Sequence, residues 1–141
     1  CSMVGEDMPT PVNSVSLHPE EKDRFGLPIP LIHQDDHPND TRMRNHYLKQ
    51  ASALYQAAGA QTLTEWHAYP TGHNLGTCRM SSDPDHGVVN MFGQSHDVSN
   101  LFVSDGSQFT TSAAANPTLT IIALTIRQAE YIAEAMRRKD I

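Results

Sequence analysis

Proline at position 117 constrains this chain more than any other residue. Its ring fixes φ and removes an N–H, so within a helix it is tolerated only in the first turn. Asn116, a cap-forming residue, precedes it, and Leu119, Ile122, Ala123, Ile126, Ala129 and Ala133 follow at helical spacing on one face. Arg137, Arg138 and Lys139 lie at the far end, where cations offset the helix dipole. The pattern predicts a helix over residues 117–138, with Asn116 at the cap and Pro117 at the first helical position.

Upstream the elements are shorter. Val15 and Leu17 alternate with Ser14, Ser16 and His18, which reads as a short half-buried strand ending before Pro19. Residues 26–32 read as a turn feeding an edge strand, because Pro28 and Pro30 cannot donate to a central ladder. Asn39 and Asp40 can cap a helix whose apolar positions are Met43, Tyr47, Ala51, Leu54, Tyr55 and Ala58, with Gly59 as its left-handed terminator. Residues 61–67 alternate and are expected to form a strand, and residues 101–103 a short buried one. Between Pro70 and Ser99 the chain is glycine-punctuated and irregular. These elements make an α+β domain of ordinary size for 141 residues.

Several function classes are excluded or disfavoured. No apolar run approaches the roughly 20 residues a membrane-spanning helix needs. A net charge of −6 disfavours unaided binding to nucleic acid. Two cysteines, Cys1 and Cys78, cannot build a disulfide framework or a four-sulfur zinc site. The start at Cys1, with no charged and apolar leader after it, is expected of a piece cut from a longer protein.

Eight histidines invite a metal reading. His33 and His37 are spaced as a helical ligand pair, with Asp35 and Asp36 between them, but Pro30 and Pro38 argue against a helix there, which leaves them as solvated loop residues. His73 is placed differently. It lies in a loop between Gly72 and Gly76, where glycines let the backbone approach a ligand closely, and imidazole's ordinary pKa of about 6.5 suits a general base. An ordinary surface histidine would fit the same residues. Asp105-Gly106-Ser107 follows a short strand, and the small residues 113–115 lead into Asn116-Pro117. A helix start of this kind presents free N–H groups and suits an anion, although a capped core helix accounts for it equally.

Together these pieces resemble the carboxyl-terminal domain of the glucose–methanol–choline (GMC) family of flavin oxidoreductases. The matching runs are residues 73–80 (His-Asn-Leu-Gly-Thr-Cys-Arg-Met), Asp83-Pro84 with Gly87-Val88-Val89, residues 100–107 (Asn-Leu-Phe-Val-Ser-Asp-Gly-Ser), and residues 116–120 (Asn-Pro-Thr-Leu-Thr). Residues 15–17, 23–28 and 39–40 resemble its polyol and sugar-acid dehydrogenase branch. Two departures stand out: Thr110 where the family commonly has proline, and Ala113 to Ala115 where it often has glycines. The family's Gly-x-Gly-x-x-Gly pyrophosphate grip is absent from these residues.

The resemblance implies that residues 1 to about 70 belong to a substrate domain and residues from about 71 to 141 return to a flavin domain. It implies oxidation of an alcohol, polyol or sugar acid to a carbonyl, with FAD as hydride acceptor. His73 matches the position of the base and Asn116 the second active-site position. Asp105, Gly106, Asn116, Pro117, Thr118 and Leu119 fall where the family contacts the cofactor. The chain alone is expected neither to retain FAD nor to turn over. Its partners would be the small-molecule substrate and the missing amino-terminal FAD-binding domain, with no nucleic acid. Apolar faces around residues 101–103 and on the last helix would be exposed, favouring self-association. Two other readings stand beside it: a non-catalytic interaction domain and a histidine-based metal-binding module.

Overall fold

The computed structural model describes residues 1–65 and 72–141. In order these contain β1 (Ser14–Lys22), β2 (Pro28–His33), α1 (Pro38–Ala57), single 3-10 turns at Pro84–His86 and Gly106–Gln108, and α2 (Thr118–Arg138). The α+β class read from the sequence is the class observed.

β1 and β2 form a two-stranded antiparallel hairpin, with Val15 opposite Ile32 and Leu17 opposite Pro30. β1 does not stop before Pro19. It runs through to Lys22, because in a two-stranded ribbon both strands are edges and a proline can face solvent. The register breaks between Leu17 and Lys22 and absorbs the proline there. Nor is the strand half-buried: Val15 is 52% and Leu17 68% exposed.

α1 is capped two to three residues earlier than the sequence suggests. His37, not Asn39 or Asp40, is the N-cap, and its Nδ1 accepts from the Asn39 N–H at 3.1 Å. Pro38 opens the helix, where its missing N–H removes a donor that would be unpaired anyway. Asp40 completes the capping box: Oδ2 accepts from the His37 N–H at 3.2 Å. Its Oδ1 accepts from Met8 N–H at 3.2 Å, pinning the amino-terminal segment to α1 and burying the carboxylate. The helix ends as expected at Gly59, whose φ of +91° allows the Ala60 N–H to reach the Tyr55 carbonyl at 2.9 Å. Residues 61–65 form no strand; Trp66 and His67 lie outside the described residues.

α2 is the spine of the carboxyl-terminal half. It docks through Gln128, which is only 3% exposed. The Gln128 Nε2 donates to the carbonyls of Phe92 (2.9 Å) and Val103 (2.7 Å), while Oε1 accepts from the Ser104 hydroxyl. One turn on, the Tyr131 ring stacks on Phe92 at 4.2 Å, and its hydroxyl donates to Gln94 Oε1 at 3.1 Å. Thr125 Oγ1 adds a bond to the Ser104 carbonyl at 3.1 Å. The docked face thus runs through Thr125, Gln128, Tyr131 and the buried Ala135. The stripe read from the sequence lies on another side of the helix, where Leu119, Ile122 and Ile126 are 81%, 49% and 58% exposed; Met136, which the sequence reading did not include, extends that side and is 63% exposed.

The expected buried strand at residues 101–103 is reduced to a single bridge, Phe102 with Gln94, and Leu101 is 51% exposed. Two glycine-turned loops rather than a sheet surround the buried Val89, so a three-residue run has nothing to extend along. Among the described residues no helix is long and apolar enough to cross a membrane.

Candidate active site

The loop that carries His73 is held by the segment that carries Asp105. Gly76, Cys78 and Met80 donate in turn to the carbonyls of Gly106 (3.4 Å), Ser107 (2.9 Å) and Gln108 (2.8 Å). Gly76 has φ +88°, a conformation glycine adopts without strain. Alternate N–H groups of one segment therefore meet three successive carbonyls of a 3-10 turn, which fixes the loop without a regular strand.

Gly106 is the point where three segments meet. A Cβ there would fall 2.5 Å from Leu75 Cδ2, 3.5 Å from Ile121 Cδ1 and 3.6 Å from the Asn74 carbonyl. Leu75 and Asn74 adjoin His73, and Ile121 lies in the first turn of α2, just beyond Asn116. The absent side chain lets the His73 loop and the start of α2 close on each other. The requirement for glycine is met here by protein packing, since Leu75 fills the space.

At the α2 start the N-cap is Pro117, in the αR region, with Thr118 as the first helical residue. Asn116 lies one position further out than its expected capping place. It is exposed, and the helix has no side-chain cap hydrogen bond, so the expected capping rotamer of Asn116 is not formed. The first intrahelical bond is from the Ile121 N–H to the Pro117 carbonyl at 3.0 Å, which leaves the N–H groups of Thr118, Leu119 and Thr120 without helical acceptors. Thr118 and Leu119 are exposed, and no acidic residue stands in this first turn. α1 has a complete capping box with an acid; α2 has neither.

Asp105 is exposed and works locally as the N-cap of the 3-10 turn. Its Oδ1 accepts from the Ser107 hydroxyl at 2.5 Å and from the Ser107 N–H at 2.8 Å. These two bonds, the hydroxyl's first, hold its carboxyl below the usual carboxylate pKa. A depressed pKa stabilises the fold above the ordinary carboxylate value, and the contribution disappears as pH falls through the folded value. Ser107→Ala removes the larger cause. An NMR titration of Asp105 is therefore expected to show its midpoint rise toward the ordinary value of about 3.9 in that variant. An unchanged midpoint would assign the depression to the N–H alone.

His73 is half-buried. His33 ends β2 and His37 caps α1, so the two occupy different elements and share no helix face. Among the described residues no three His, Cys, Asp or Glu side chains gather as a metal ion would require. Sequence reasoning missed Gln128 and Gly93. A lone amide in an apolar helix was the available signal for the first.

The sequence profile of the GMC oxidoreductases matches residues 9–125, which includes the hairpin, α1, the His73 loop and the start of α2. The chain belongs to the GMC oxidoreductase family. It is 41% identical over 133 residues to a 2-methyl-1,2-propanediol dehydrogenase of Mycolicibacterium austroafricanum, covering 92% of this chain and 24% of that protein. It is 30% identical to the fructose dehydrogenase large subunit of Gluconobacter japonicus, over 94% of this chain and 25% of the relative. With the gluconate 2-dehydrogenase flavoprotein of Pantoea cypripedii the identity is 31%, over 86% of this chain and 22% of the relative. The chain spans about a quarter of the length of the curated relatives it matches. GMC relatives named for alcohol, sugar and sugar-acid oxidation thus align across both halves of the chain.

Proposed function

We propose that these residues are the carboxyl-terminal part of an FAD-dependent oxidoreductase that oxidises an alcohol, polyol or sugar acid to a carbonyl. The observation that carries this reading is the junction at Gly106, which joins the His73 loop to an uncapped helix start inside the family match.

The residues present fit one wall of a flavin site. The exposed, acceptor-free N–H groups of Thr118 and Leu119, with Pro117 setting the turn before them, suit an electron-rich carbonyl edge. Asp105 and Gly106 would lie nearer the ribityl–phosphate stretch. The flavin, when bound, supplies the hydride acceptor. An alcohol hydroxyl has a pKa far above neutrality, so its proton must be taken as the hydride leaves. A ring nitrogen of His73 accepts that proton. The Asn116 amide, not engaged in capping, hydrogen-bonds the substrate oxygen and orients it.

The rest of the cofactor grip belongs to the amino-terminal FAD-binding domain, and these residues alone do not retain FAD. The exposed stripe on α2 supports that partnership: Leu119, Ile122, Ile126, Ala129, Ala133 and Met136 repeat every three and four residues, an apolar seam with the spacing of a packed helix. Uncovered, the same seam favours self-association.

Anaerobic mixing of the full-length flavoprotein with a vicinal diol, a neutral polyol and a sugar acid tests the reaction. At least one class is expected to bleach the oxidised flavin absorbance. A folded, flavin-loaded protein that stays oxidised with all three would refute the proposed chemistry.

A further inference from the structure

Where residues 9–15 cross residues 76–80, two adjoining hollows of about 270 and 460 Å³ share Thr10, Pro11 and Arg79. Arg79 is anchored on one edge only: its Nε donates to the His86 carbonyl at 3.0 Å. Among the described residues no carboxylate lies within ion-pair distance of its guanidinium. The nearby Asp83 is committed elsewhere, with Oδ2 at 2.8 Å from His86 Nδ1 and Oδ1 accepting from the Asp85 N–H at 3.0 Å. A guanidinium fixed by Nε still has two terminal NH2 groups in a plane, the geometry that binds a carboxylate through both oxygens.

The walls supply hydroxyls. Thr10 Oγ1 is buried and has no hydrogen-bond partner, although its residue lines both hollows. A buried hydroxyl left unpaired is unfavourable, and a turn about χ1 would exchange it with the methyl group if a partner entered. Thr110 and Thr111 line the larger hollow, and Thr77 and Ser14 the smaller.

We propose that this cleft binds a small polyhydroxy carboxylate, with Arg79 holding the carboxylate and the threonine hydroxyls meeting the hydroxyls of the ligand. One cation matches a monoanion, whereas the dianionic form of inorganic phosphate has a charge left over. A neutral polyol leaves Arg79 without a partner. This assignment is independent of the hydride-transfer reading, which uses neither Arg79 nor Thr10.

Equilibrium binding of sodium gluconate to the full-length protein tests it. Saturable binding is expected, with glucitol and inorganic phosphate each at least about tenfold weaker and Arg79→Gln weakening gluconate by about tenfold or more. Thr10→Val should weaken gluconate several-fold while leaving the unfolding midpoint unchanged or raised, because the hydroxyl makes no bond in the free protein. That variant keeps the test decisive if Arg79→Gln fails to fold. Equal affinity for gluconate and glucitol, phosphate competing as well as gluconate, or wild-type affinity in folded Arg79→Gln or Thr10→Val overturns the proposal.

Discussion

Replacing His73 by alanine in the full-length enzyme is expected to slow flavin reduction by about a hundred- to ten-thousand-fold, the usual contribution of a general base. Flavin content should remain nearly intact. Main-chain bonds from Gly76, Cys78 and Met80 hold the loop that follows residue 73, and they remain when the ring is removed. Asn116→Ala removes the amide proposed to orient the substrate, and if the two residues act as a unit the double variant should fall by less than the product of the single effects. Loss of the flavin itself in His73→Ala would make the residue structural. A reduction rate within a few-fold of wild type would send the proton elsewhere, with His67 the nearest alternative in sequence.

Stereochemical constraints in the sequence locate the helix ends to within a residue or so. Gly59 ends α1 because a left-handed residue is needed to turn back its last carbonyls, and Pro117 marks the start of α2, although as its N-cap rather than as the expected first helical residue. Caps were read one to three residues off. Asn39 and Asp40 have the better cap chemistry in isolation, but His37 wins because Asp40 is claimed by the His37 and Met8 N–H groups. Strands were read least well. Alternation at residues 14–18 implies a buried face, yet the hairpin remains exposed, since burial depends on what lies across the sheet and not on the strand alone.

α2 shows the same limit from the other side. Its sequence presents two faces able to pack, and the more regular apolar one is exposed. The docked face is centred on a glutamine, which hydrophobic periodicity counts as solvent-facing. Only the irregular loops around Phe92 and Val103, with carbonyls to satisfy, explain why an amide belongs there. The Gly106 junction was legible as a motif but not as a contact. Nothing in the linear order says that Leu75 fills the space a side chain would take.

Gly93→Ala is the substitution expected to damage the fold most, and it tests the Gln128 anchor of α2 directly. Gly93 has φ +70°, which costs a non-glycine residue about 1–2 kcal/mol. A Cβ at this position would also lie 2.2 Å from Gln128 Nε2 and 2.6 Å from the Val103 carbonyl. The amide must then withdraw, leaving the part-buried carbonyls of Phe92 and Val103 without their donor, at up to about 1–3 kcal/mol for each group left unpaired. At full burial these costs add up to about 3–8 kcal/mol, and because the carbonyls are only part-buried the expected loss is at the low end, about 3–5 kcal/mol, large against the 5–15 kcal/mol that holds most domains together. Gly26→Ala is the matched comparison. Gly26 also has positive φ (+82°), but nothing lies within 4 Å of its Cβ position, so only the backbone cost should appear. Denaturant unfolding of the two variants separates backbone strain from packing. A Gly93→Ala protein no less stable than Gly26→Ala would mean that the loop around Phe92 yields freely and that α2, with the Asn116 site at its start, is anchored by something other than Gln128.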